Sequence, residues 1–131
     1  MIGLDTNVLL RLLLRDDDAQ AAAADRFVEA ACSPEAPCLI NRIVLVEAAW
    51  VLGSGYGYSR AQVAAILDGI LRTEVFAVEN AAEAWTALKD YRTGGADFAD
   101  CLLGRTNRSL GAETTASFDK RAHALDGFVA V

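Results

Sequence analysis

The chain is short of several things, and each scarcity closes an option. Two prolines in 131 residues, with hydrophobic residues at 53%, argue against disorder. No apolar run approaches the roughly 20 residues needed to span a bilayer. The start has neither a basic n-region nor a cleavage pattern, so no signal peptide is expected. A cytoplasmic location with no membrane partner is the plain expectation. Cysteines are few and odd in number. Cys32, Cys38 and Cys101 have no close histidine, which argues against zinc and for free thiols in a reducing compartment. The single histidine, His123, is read as lying away from the acidic positions below, at the surface or in a cap.

Positive charge is also scarce. There are 12 Lys and Arg against 18 Asp and Glu, a net charge of −6. Nucleic-acid partners usually need a basic face, so this balance disfavours one, unless part of the acidic surplus is itself a metal site. Lysine numbers only 2 and arginine 10. That skew suits bidentate phosphate contacts or merely reflects an alanine-heavy, arginine-favouring composition.

What is present is a regular alternation of short apolar runs and longer helical stretches. Ile2 to Asp5 reads as a strand leading into a helix at Thr6 to Leu14. Asp16, Asp17 and Asp18 suit the start of a helix from Ala19 to Ala31. Pro34 and Pro37 mark a turn before a strand ending at Ile40, and Asn41 to Leu52 reads as a helix. Ser59 caps a helix from Arg60 to Leu71, Val75 to Val78 is a strand, and Asn80 caps a helix reaching Tyr91. Gly94 and Gly95 break it, and Asp97 to Leu110 is helical. Glu113 to Ala116 and Phe128 to Ala130 complete the strands, with a short helix after Asp119 between them. One α/β domain over residues 1–131 is expected, with about five short, mostly parallel strands and about seven helices. In such open sheets ligands bind beyond the carboxyl ends of the strands, where Asp5 and Asp119 fall.

Four carboxylates stand where a carboxylate is awkward. Asp5 ends Met1-Ile2-Gly3-Leu4, and Glu47 interrupts Ile43-Val44-Leu45-Val46. Asp100 sits among Phe98, Ala99, Cys101 and Leu102, and Asp119 follows Ala116-Ser117-Phe118. An isolated buried charge costs several kcal/mol or neutralises by shifting its pKa. Four such positions are best explained by a fold that gathers them around a cation, and oxygen ligands select a hard ion, Mg²⁺ or Mn²⁺. Taken singly, Asp5 and Asp119 suit helix caps. Asp97 is equally a cap or a ligand, one turn before Asp100 on the same face. Glu47 is placed on the apolar face of its helix, and Asp100 too far into its own helix to be a cap. Thr6, Asn7 and Ser117 offer a hydroxyl or an amide to orient neighbouring groups.

These motifs, in this order, resemble PIN-domain ribonucleases. Ile2-Gly3-Leu4-Asp5-Thr6-Asn7-Val8-Leu9-Leu10 is similar to their opening, and Val46-Glu47-Ala48-Ala49-Trp50-Val51-Leu52 to their second acidic motif. Gly95-Ala96-Asp97-Phe98-Ala99-Asp100-Cys101-Leu102-Leu103 is similar to the third, and Thr115-Ala116-Ser117-Phe118-Asp119-Lys120-Arg121 to the fourth. The compact size, Arg15-Asp16-Asp17-Asp18 and the Ala-rich stretch after it look most like VapC-type toxins. Cys101 and Ser117 depart from the residues usual at those positions, a small residue and Thr.

The resemblance implies a three-layer α/β/α fold and metal-dependent endoribonuclease activity on single-stranded or looped RNA, with one or two Mg²⁺ or Mn²⁺ ions. It makes Asp5 and Asp100 primary metal ligands, with Glu47, Asp119 and Asp97 as supporting ligands or orienters of the attacking water. It also implies a VapB-like antitoxin partner and a homodimer. Arg11, Arg15, Arg42, Arg105, Arg108, Lys120 and Arg121 are near the motifs in sequence and are candidate RNA contacts. A different outcome is a catalytically weak binding module that presents the same carboxylates to a basic partner segment.

Overall fold

A computed structural model describes all residues, Met1 to Val131. The chain runs α1 (Thr6–Leu14), α2 (Asp18–Ala31), β1 (Cys38–Ile40), α3 (Arg42–Trp50), α4 (Arg60–Arg72), β2 (Phe76–Val78), α5 (Ala81–Thr93), α6 (Phe98–Ser109), β3 (Thr115–Ser117) and β4 (Phe128–Ala130). Most helix starts follow from their caps. Asp17, Asn41 and Asp97 each accept a backbone N–H with the side chain, and Ser59 and Gln62 form a reciprocal capping box. Asn80 is the exception. It begins α5 from a left-handed conformation (φ 45°) and makes no side-chain capping bond.

The strands are parallel, as expected, but they are shorter and divided. β1 pairs with β2, and β3 with β4, giving two two-stranded sheets. The expected first strand is reduced to a single parallel bridge between Gly3 and Leu39, carried by Leu4 N–H to Leu39 O (3.0 Å) and Leu39 N–H to Ile2 O (2.7 Å). The reason is local: Asp5 caps α1 by accepting the Thr6 N–H at 2.7 Å, so the chain turns helical before a strand can extend. The helix count is six rather than seven. The expected helix after Asp119 is only a three-residue 3₁₀ turn, Ala122–Ala124, and α3 runs on into a π-turn over Val51–Gly55.

A single apolar cluster of 22 buried residues joins α1, α3, α4, α5, α6 and β1. α5 packs against both α4 and α6. At the far side of α6, Gly104 lies so close to Phe128 of β4 that a Cβ there would come within 2.6 Å of the ring. Asn107 donates from Nδ2 to Thr115 Oγ1 at 3.0 Å, a second tie between α6 and the β3–β4 pair.

The cysteines correct the expectation of three free thiols. Cys32 at the end of α2 is bridged to Cys38 of β1, with Cα atoms 5.6 Å apart, within the usual disulfide range. Cys101 stays free, and burial pushes its thiol up to about 12.

Candidate active site

Asp97, Asp100 and Asp119 meet. Asp97 precedes the first residue of α6, where its carboxylate accepts the Asp100 N–H at 2.9 Å. That is a cap of a kind worth about 1 kcal/mol. Asp100 lies in the first turn of α6, closer to the helix start than the sequence suggested. A helix N-terminus favours a carboxylate. Even so, Asp100 is raised to about 6, chiefly by burial, then by the charges of Asp97 and Asp119, whose side chains lie in hydrogen-bonding reach. A carboxyl perturbed in this way by burial and like charge marks a candidate functional site.

Asp119 reaches the cluster from the end of β3. Ser117 Oγ accepts the Asp119 N–H (3.0 Å), and Asp119 Oδ1 accepts the Arg121 N–H (2.9 Å). Ser117 thus serves to bend the backbone. His123 corrects its expectation: its Nε2 is 2.6 Å from Ser117 O, so it helps hold the same turn instead of standing away from the acidic residues. Its proximity to Asp119, four residues earlier, was the available sequence signal.

The other acids are placed differently. Glu47 is exposed, because α3 buries Val44, Leu45, Ala48 and Ala49, and the face of Ile43, Glu47 and Trp50 is turned outward. This overturns its expected position on a buried face. It borders, with Asp100, a groove of about 610 Å³ between α3 and α6 whose walls include Ile43, Val46, Trp50 and Leu103. Val46, Trp50 and Ala99 also line an adjoining hollow of about 340 Å³ that holds Asp97, Arg60 and Arg121. Asp5 is exposed and opens, with Asn7, on a third cleft of about 640 Å³ between α1 and α2. Thr6 is buried beside it.

No three Asp, Glu, His or Cys groups lie close enough in this arrangement to hold one ion. The donor set still suits a hard divalent cation. It is made of oxygen only, and Asp100 is crowded by the like charges of Asp97 and Asp119.

The arginines correct the picture of a phosphate-binding surface. Arg15 makes a two-point pair with Asp25, and Arg105 with Asp90. Arg11 is engaged by Asp16 and Gln20, and Arg42 by Glu79, Glu83 and Thr106. Arg108 and Arg121 make longer pairs, with Asp126 (3.7 Å) and Asp119 (3.9 Å). Among the candidate RNA contacts, only Lys120 has no carboxylate partner. Sequence proximity to the motifs could not reveal this, since most of the acidic partners lie five or more residues away.

No helix is long and apolar enough to cross a membrane. A VapC ribonuclease of Aquifex aeolicus (strain VF5) is 28% identical to the chain over 128 residues, spanning 98% of this chain and 93% of that protein. No solved structure matches. The PIN domain model matches residues 2–127, nearly the whole chain and all the acidic motifs, and the protein belongs to the PIN domain family.

Proposed function

We propose that this protein is a metal-dependent endoribonuclease that hydrolyses RNA phosphodiesters, and that it is the toxin of a VapBC-type toxin–antitoxin pair. The observation that carries the reading is the junction of Asp97, Asp100 and Asp119, with Asp100 raised to about 6 by burial and by its two acidic neighbours. Likeness to a VapC ribonuclease along nearly the full chain supports RNA as the substrate.

Asp100, Asp97 and Asp119 would hold one Mg²⁺ or Mn²⁺ ion, with Asp5 and Glu47 contributing to that ion or to a second. Such an ion, when bound, neutralises charge on the scissile phosphate and acidifies the attacking water. The chain's own residues set the stage. Ser117 and His123 fix the turn that carries Asp119, and the Asp97 cap fixes the start of α6. Thr6 and Asn7 flank Asp5 and would orient it or the substrate. Lys120, with Arg121 beside it, would meet the phosphate backbone.

The expected result is cleavage of a defined single-stranded RNA in Mn²⁺ or Mg²⁺, abolished by EDTA and by Asp5→Asn. Failure of antitoxin-free protein to cut any RNA with either metal would sink the proposal. A binding module is favoured by one observation, that the acids as they stand do not form a ligating set. Its mark would be capture of a basic peptide without any hydrolysis.

Ile43, Trp50 and Leu103 are 71%, 67% and 46% exposed beside the groove, an apolar surface of the kind that marks an interface. In our reading it is buried in a homodimer, and the protein works in the cytoplasm with its antitoxin, where the Cys32–Cys38 pair would stand reduced. Sedimentation should show a dimer for the wild type and a monomer for Trp50→Arg; a wild-type monomer at about 100 μM, where an association stronger than roughly 5.5 kcal/mol would be seen, would remove the dimer.

A further inference from the structure

Arg60 occupies an unusual position for a residue near the surface. It opens α4, which supplies none of the acids, yet its Nη2 donates to one carbonyl in the last turn of α5 and two in the α5–α6 connection. These are Tyr91 O (2.7 Å), Gly94 O (3.1 Å) and Ala96 O (2.8 Å). Tyr91 and Ala96 are buried. The last carbonyls of a helix have no partner within the helix, and a guanidinium is one way to satisfy them. The same guanidinium lies over the Tyr91 ring, 4.1 Å from its centre, and Tyr91 meets Phe98 edge-on with ring centres 6.0 Å apart. Phe98 is the first residue of α6. Arg60 therefore holds the backbone before Asp97 directly through hydrogen bonds, and reaches Phe98, the residue after Asp97, only by way of the Tyr91 ring on which it lies.

We propose that Arg60 is a positioning residue for the acidic site, fixing the approach of Asp97 and Asp100 to Asp119 from outside the constellation. This rests on the reading of those acids as a divalent-ion site. Gly94 and Gly95 make the connection intrinsically loose, so its shape depends on a donor from elsewhere. A guanidinium placed over the Tyr91 ring reaches the carbonyls and the ring together. Lysine keeps the charge but loses the plane.

The test uses Arg60→Gln and Arg60→Lys, read by Mn²⁺ titration in a calorimeter and by amide hydrogen exchange of metal-free protein. Asp68→Ala, which removes the ion pairs to Arg72 and Arg92 elsewhere on α4, serves as the control. Arg60→Gln should weaken Mn²⁺ binding about tenfold, the scale of losing an outer-shell partner, and speed exchange at Ala96–Cys101. Arg60→Lys should fall between it and the wild type, and Asp68→Ala should bind Mn²⁺ as the wild type does. If Arg60→Gln does not fold, Arg60→Lys alone decides, by a measurable loss of affinity. Unchanged Mn²⁺ affinity and unchanged exchange at Ala96–Cys101 in the folded variant would overturn the proposal, as would a wild-type protein that binds no Mn²⁺. A wild type that binds Mn²⁺ yet leaves RNA intact sinks the nuclease reading, while Arg60 is still judged by affinity.

Discussion

Asp100→Asn is expected to lose RNA hydrolysis by about 10³-fold, the scale seen when one group organising transition-state charge is removed. The metal-free variant should stay folded and be slightly more stable than the wild type. Asp100 is raised from an ordinary 3.8 to about 6 by burial, Asp97 and Asp119. The folded protein therefore keeps a proton that the unfolded chain has already released. The stability this contributes is complete below about pH 3.8 and is lost as pH rises through about 6. The full shift would correspond to about 3 kcal/mol, but solvent screening at this partly open site reduces it to roughly 1 kcal/mol. Thermal melts of metal-free protein from pH 4 to 7.5 should show the wild type losing ground to Asp100→Asn across that window. Added Mn²⁺ should restore the wild type alone, by mass action on the folded state. If Asp100→Asn were clearly less stable at neutral pH, the carboxylate would be a structural group and the site assignment would fail.

Phe98→Ala should be the costliest single truncation in α6, at about 3–5 kcal/mol. The ring is 2% exposed and is held edge-on by Tyr91. A loss of this size lowers the melting temperature of a chain this long by roughly 10–20 °C. Its second effect separates it from other core losses. Leu67, fully buried on α4, should cost a comparable 2–5 kcal/mol or so on truncation to Ala, while leaving cleavage per folded molecule unchanged. Phe98→Ala should reduce cleavage well below its melting point, because the anchor beside Asp97 and Asp100 is gone. Equal activities for the two folded variants would show that the start of α6 holds its shape without the ring.

Much of this was legible in the chain because caps and apolar periodicity are local properties. The strand at Phe128–Ala130 and the break at Gly94 and Gly95 follow from neighbours within a few residues, and so do the starts at Ser59 and Asp97. The order of the motifs led to the expectation of one pocket for Asp5, Glu47, Asp100 and Asp119; Asp100 and Asp119 meet, joined by Asp97, while Glu47 only borders the groove beside Asp100 and Asp5 opens on another cleft. Glu47 was misplaced because α3 is apolar almost all round, so its period does not say which side faces the core. The first strand was overextended because a run as short as Ile2–Leu4 cannot tell strand pairing from the approach to a capped helix. Arg60 carried no signal at all. Its partners lie 31 to 36 residues away and are backbone carbonyls, which every residue has.

Eight of the ten arginines are committed to carboxylates of the same molecule, and Arg60 to carbonyls. Little cationic surface is left to trade for the counterions that sheathe a polyanion, the usual source of loose, sequence-blind attraction. A strand of RNA nearing the bare protein meets net repulsion. In our reading the divalent ion is thus an admission ticket as well as a reagent: it turns a cluster of carboxylates that repels phosphate into the place that holds it. Encounter would then follow the supply of the ion more closely than the ionic strength.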